Sequence, residues 1–124
     1  MSKSQDIEMK YRYLISQPDL NAHGTLHGGI LMKWVDEACG MEARLMTGGV
    51  CATRHIRDVD FRSAARLGDI LSVDVAIVKI GKTSITYSAF VKNEISQSVV
   101  ANFENLVFVS IDENNKAREH GISL

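Results

Sequence analysis

Asn21-Ala22-His23-Gly24-Thr25-Leu26-His27-Gly28-Gly29 sets three glycines within six residues, directly ahead of a helical pattern running from about His27 to Thr47. Glycine beside a helix start lets a ligand or another backbone come close, and the first-turn N–H groups of a helix have no intrahelical acceptor. At about 100° per residue, Ile30, Leu31, Trp34, Val35, Ala38, Met41 and Leu45 form one apolar arc. Lys33, Glu37 and Arg44 form a solvated stripe, and Asp36 belongs to neither group. Its neighbours on the helical wheel are Gly29, Met32, Cys39, Gly40 and Ala43, a face of small residues and a methionine. Such a face admits close packing. Asp36 therefore reads either as an acid turned to a partner surface or cleft, or as a solvated or capping aspartate. Glu42 falls inside the apolar arc near Val35, where snorkelling at an edge is the only account the pattern offers.

Ahead of the glycines, Ile7, Met9, Tyr11, Tyr13 and Ile15 alternate with Glu8, Lys10 and Arg12, the period of a half-buried strand. Ser16-Gln17-Pro18-Asp19 stops it at the only proline in the chain. Beyond the helix, closed by Gly48-Gly49, the pattern is β throughout. Strands are expected over Cys51–Phe61, Ile70–Ile80, Thr83–Lys92 and Val99–Ile111. Turns fall at Arg66-Leu67-Gly68-Asp69, at Gly81-Lys82 and at Asp112 to Lys116, with a polar loop at Asn93–Ser98 and a short tail from Ala117. Short turns favour antiparallel neighbours, and the single helix must cover one face of the sheet. Both parities of Val99–Ile111 carry large apolar residues, as in a strand buried on both faces. One helix cannot cover both, so oligomerisation is the simplest source of the missing cover.

At 124 residues the chain has room for a single domain, residues 1–124. Hydrophobic content of 45% and charged content of 23% are those of an ordinary soluble protein. A net charge of −1 supplies no field for nucleic acid or an anionic membrane. Cys39 and Cys51 have no metal-type spacing and read as reduced cysteines of a cytoplasmic protein. Met1–Asp6 lacks the apolar core of a signal peptide, and no run reaches membrane-spanning length.

A strand, a glycine-rich turn, a long helix and four antiparallel strands resemble the α+β hot-dog fold, a sheet of about five strands wrapped around one central helix. Pro18 to Gly29, followed by Met32-Lys33-Trp34-Val35-Asp36-Glu37-Ala38, is similar to the acyl-CoA thioesterases of that fold. The branch it most resembles is the broad-specificity cytosolic acyl-CoA hydrolases, in which an Asn-x-x-Gly turn, a Gly-Gly helix start and a helical Asp recur. The resemblance continues through Val59-Asp60-Phe61, Leu67-Gly68-Asp69, Gly81-Lys82-Thr83-Ser84 and a last strand ending in Asp112, nearly the whole chain. Two departures bear on substrate class. His27 stands where that branch often has an aromatic residue, and His-Gly-Gly instead resembles the phenylacetyl-CoA and hydroxybenzoyl-CoA type. Ala64 stands where the branch commonly has proline.

Thioester cleavage needs a group that polarises the carbonyl and a base or nucleophile. The N–H groups of Gly28 and Gly29, at the positive end of the helix, can polarise it, and Asp36 can activate water or attack directly. Eight residues at about 1.5 Å each set Asp36 roughly 12 Å along the helix from Gly28, too far to share one carbonyl. The expected catalytic set of Asp36, Asn21, Gly28 and Gly29 is therefore divided between two subunits, as the resemblance also implies. Asn21 either orients a water or the thioester, or closes an Asx turn before Gly24. His27 either contacts substrate or is held by its neighbours. Gly81, Lys82, Thr83 and Ser84 offer amides, hydroxyls and a cation to the CoA phosphates. Arg118 resembles an arginine after the family's last strand and leads Arg54, Arg57 and Arg62 as further cations. Asp19, His23 and His27 lack a metal spacing, so no metal is expected and no cofactor beyond coenzyme A within the substrate.

The partners expected are acyl-CoA and the chain itself, as a homodimer and then a tetramer or hexamer, with no nucleic acid and no membrane. Two rivals stand beside the thioesterase reading. One is a non-catalytic acyl-CoA-binding module or sensor of the same fold; a DNA-binding output domain has no room in 124 residues. The other is a hydratase or dehydratase, for which His27 is the only support.

Overall fold

The computed structural model describes residues 8–123. Strand β1 covers Glu8–Leu14, a 3-10 turn Gln17–Asp19, and helix α1 Gly28–Thr47. Strands β2 to β5 are Cys51–Phe61, Ile70–Ile80, Ser84–Asn93 and Val99–Ser110. Ile7, expected to open the first strand, lies outside the described residues. All pairings are antiparallel, in one sheet of order β1-β3-β4-β5-β2, with α1 packed on one face. This is the hot-dog fold.

Short turns make neighbours of β3, β4 and β5, as expected, but β2 does not lie beside β3. It pairs with β5 at the opposite edge of the sheet. Residues 62–69 carry the chain across three strand spacings, about 14 Å, well within the roughly 26 Å that eight extended residues span. On the way, this connection seats the glycine-rich stretch. Leu26 N–H donates to the Ala65 carbonyl (2.8 Å), and Thr25 bridges to Arg66.

The buried face of α1 differs from the expected arc. Leu31, Val35, Ala38, Cys39, Glu42 and Ala43 are buried, whereas Met41 and Leu45 stand 45% and 75% exposed. The small side chains of Ala38, Cys39 and Ala43 let the helix sit close on the sheet, so the face follows steric fit rather than summed hydrophobicity. Burial, with the Asp36 and Glu42 charges adding, pushes the Cys39 thiol well up, so it stays neutral in the core. Glu42 has a partner that no helical wheel could reveal, the Tyr11 hydroxyl of β1, which donates to its Oε2. Burial and the neighbouring Glu42 push the Tyr11 phenol far above its ordinary range, keeping it a donor. Tyr11→Phe leaves that buried carboxylate without its donor, and we expect a loss of about 1–3 kcal/mol in urea unfolding. An unchanged midpoint would remove the bond from the account of stability.

The mixed apolar parity of β5 also has a local cause. Tyr87 pairs with Leu106 but Ala89 with Phe103, so Ser88 faces two residues, Glu104 and Asn105. This bulge turns Phe103 and Leu106 to the same, helix-facing side, where both are buried. The bulge thus accounts for Phe103 and Leu106, while adjacent residues such as Val100 with Ala101 and Phe108 with Val109 are buried at both parities.

Candidate active site

The glycine-rich stretch is a closed turn around Asn21. Its Oδ1 accepts the His23 and Thr25 N–H groups (2.9 and 3.1 Å), and its Nδ2 donates to Thr25 Oγ1 (3.0 Å). Gly24 completes the turn at φ +82°, where a side chain would strain the backbone. Asn21 thus closes an Asx turn and keeps one amide hydrogen to offer. The stretch ends at His27, whose N–H donates to the Asp19 carbonyl (2.9 Å) and which caps α1.

Of the four N–H groups at the start of α1 that have no acceptor four residues back, those of His27, Gly28, Gly29 and Ile30, two are taken by His27 and its own goes to the Asp19 carbonyl. The His27 carbonyl accepts from Ile30 (3.0 Å) and Leu31 (3.1 Å), and its Nδ1 accepts from Gly29 (2.9 Å). Only the Gly28 N–H has no acceptor among the described residues. The pair of donors anticipated at Gly28 and Gly29 is therefore a single free donor. It borders a cleft of about 370 Å³ lined by Leu26, Gly28, Leu31, Phe61, Ser63 and Val100. A Cβ on Gly28 would stand 3.9 Å from the Phe61 ring.

Asp36 is half-buried and lines a different cleft, of about 600 Å³, with Gly40, Met41, Leu45, Thr53 and Phe108. Thr53 Oγ1 donates to Asp36 Oδ1 (2.8 Å), leaving Oδ2 without a partner among the described residues. Sequence reasoning passed over Thr53. It lies 17 residues from Asp36 on a strand of irregular pattern, and no periodicity marks a threonine as the neighbour of a given acid.

The turn and tail residues form a third cluster. Gly81 N–H closes on the Ser84 carbonyl (2.9 Å), and a Cβ at Gly81 would stand 2.7 Å from Ser84 Oγ. The Lys82 carbonyl accepts His120 N–H (3.1 Å) and the Thr83 carbonyl accepts Ser110 N–H (2.8 Å), so the turn is pinned through its carbonyls. Lys82 remains exposed. Arg118 N–H donates to the Ser110 carbonyl (2.9 Å), and its guanidinium occupies the space a side chain at Gly49 would need. Arg118 and Arg44 share a cleft of about 650 Å³ with Gly48, Gly49, Asp112 and Glu113, and Arg44 also borders the Asp36 cleft. Arg54 and Arg57 stand exposed on β2, and Arg62 pairs with Asp60 (3.2 Å). Among the described residues no group of three His, Cys, Asp or Glu is placed to hold a metal, and no helix is long and apolar enough to cross a membrane.

Residues 23–100 match the family model of the Thioesterase superfamily. An uncharacterised acyl-CoA thioester hydrolase of Buchnera aphidicola is 30% identical over 112 residues, spanning 86% of this chain and 83% of its own. The acyl-CoA thioester hydrolase YciA of Salmonella typhimurium is 26% identical, spanning 95% of this chain and 93% of its own. The crystal structure of a hexameric thioesterase from Yersinia pestis superposes with a TM-score of 0.82 at 25% identity, over 88% of this chain and 91% of that one.

Proposed function

This chain belongs to the thioesterase superfamily, and on that premise we propose that it hydrolyses acyl-CoA to a free carboxylic acid and CoA at a site built by two subunits. The observation that carries the reading is the division of the machinery. The free Gly28 N–H and the Asp36 carboxylate line separate clefts of one chain, roughly 12 Å apart along the helix.

Strand β2 joins the two half-sites. It runs from Thr53, bonded to Asp36, to Phe61, packed near Gly28, and its outer edge has no strand partner among the described residues. An edge of 11 residues with unpaired N–H and C=O groups is a template for another strand. Two such edges paired antiparallel about a two-fold axis set the Phe61 end of each against the Thr53 end of the other. Each Gly28 cleft then meets the partner's Asp36 cleft. A homodimer, or a higher assembly of such dimers, is the working unit of this reading, and the hexameric Yersinia relative accords with it. Two free cysteines suit a reducing cytoplasm.

In the proposed reaction, the Gly28 N–H at the positive end of α1 binds the thioester oxygen and stabilises the charge that develops on it. Asp36, its Oδ1 held by Thr53, uses Oδ2 to take a proton from water or to attack the carbonyl itself. Collapse of the intermediate expels the CoA thiolate, whose low basicity lets it leave without a strong acid. Where Asp36 has attacked directly, water then cleaves the mixed anhydride to release the free acid and restore the carboxylate. Asn21 has one amide hydrogen left to orient the water or the thioester. Gly81, Lys82, Thr83, Ser84 and Arg118 bind the CoA phosphates.

Thiol release from short, long and aromatic acyl-CoAs tests this directly. Release establishes hydrolysis and its profile sets the substrate class. If nothing is released while CoA still raises the melting temperature, the chain is an acyl-CoA-binding module instead. Lys82→Ala is expected to raise KM by up to roughly fivefold with kcat almost unchanged, because an exposed phosphate contact remote from the carbonyl contributes uniform binding of at most about 1 kcal/mol. An unaltered KM would take Lys82 out of the site.

A further inference from the structure

We propose that His27 is the positioning residue of the polarising half-site, acting by claiming the Gly29 and Ile30 amides at the start of α1 so that the Gly28 amide is the one left free. The inference rests on the thioesterase reading above and says how that reading's donor is selected. A helix start presents four unpaired N–H groups within one turn, and a carbonyl approaching them could settle on any. Here His27 removes two of them, that of Ile30 through its backbone carbonyl and that of Gly29 through its ring, and its own N–H goes to the Asp19 carbonyl.

The ring contact depends on chemistry particular to this pair of positions. To accept from Gly29, Nδ1 must carry no proton, so the neutral imidazole holds its proton on Nε2. Gly29 must lack a side chain, since a Cβ there would stand 3.1 Å from both Nδ1 and Cε1 of the ring. His27 is itself held by its N–H to the Asp19 carbonyl (2.9 Å), so the cap is anchored to the turn ahead of it. An aromatic hydrocarbon ring at this position could match the bulk but could not accept the Gly29 N–H. His27 therefore acts through Gly28 and Gly29, and its presence makes the thioester oxygen choose one amide.

Three variants read this out: His27→Ala, His27→Phe and His27→Asn. Asparagine is a strong N-cap acceptor, alanine and phenylalanine are not. With alanine or phenylalanine, kcat is expected to fall by about 10- to 100-fold with little change in KM, because the donor is misplaced while remote binding is kept. Asparagine is expected to recover most of that loss. In parallel, amide exchange at Gly29 should accelerate in the alanine and phenylalanine variants and stay slow in the wild type and the asparagine variant. Folded alanine and phenylalanine variants with wild-type kcat, or an asparagine variant as impaired as alanine, would overturn the proposal. So would Gly29 exchange that ignores the substitution. If the wild type releases no thiol on any acyl-CoA, the thioesterase reading fails by itself, and the exchange arm still decides whether His27 claims the Gly29 amide.

Discussion

Asp36→Asn should lower kcat by about 10²- to 10⁴-fold, the range a positioned acid–base group supplies, and leave the fold and CoA binding intact. The replacement is isosteric. Asparagine's Oδ1 can still accept from Thr53 Oγ1, which bonds Asp36 at 2.8 Å, so the half-buried side chain keeps its neighbour and loses only its charge and basicity. Thiol release from the best acyl-CoA, measured with the urea midpoint of both proteins, checks the two halves of the claim. A mutant turning over at the wild-type rate would sink the two-subunit mechanism, since Asp36 is the carboxylate of its cleft that Thr53 holds, while Glu37, which also lines that cleft, has no bond to Thr53 among the described residues.

Gly28→Pro should cost about 10²- to 10³-fold in kcat, the effect of deleting one oxyanion donor. Proline removes the single unclaimed N–H of the first turn and is the residue best tolerated at the first helical position. His27 is already at φ −66°, ψ 128°, within the region a residue before proline prefers. The nearest obstacle to a Cβ is the Phe61 ring at 3.9 Å, an ordinary contact. The loss is thus expected without unfolding.

The two variants together test the division between subunits. Each alone is expected to keep at most about a hundredth of the activity. In the proposed arrangement, however, a heterodimer of one with the other has one intact site, made from the unmutated Gly28 of one chain and the unmutated Asp36 of its partner. Co-refolding equal amounts should restore about a quarter of wild-type activity, because half the dimers are mixed and half of their sites are whole. No recovery would place both groups in one chain.

Much of this was legible in the chain itself because it depends on neighbours in sequence. The strand and helix bounds followed from alternation and helical period, and matched within a residue or two. The distance between Gly28 and Asp36 followed from helical rise alone, so a divided site could be argued before any tertiary contact was known. Glycine density ahead of the helix located the turn at Asn21 because a φ of +82° at Gly24 is a local requirement.

What escaped a reading of the sequence was set between segments far apart in the chain. The pairing of β2 with β5 depends on a crossover that no turn signal encodes, and with it came Thr53 beside Asp36 and the unpaired edge joining the two clefts. Glu42 found its donor 31 residues away, and the bulge that sets Phe103 and Leu106 on one face of β5 was visible only against β4. The choice of Gly28 over Gly29 turned on the rotamer of one imidazole. Local periodicity therefore determined the elements, their order and the spacing of Gly28 and Asp36 along the helix. Tertiary packing decided which face of α1 is covered, which residues meet across the sheet and which amide stays free, because those depend on contacts whose partners the local pattern does not contain.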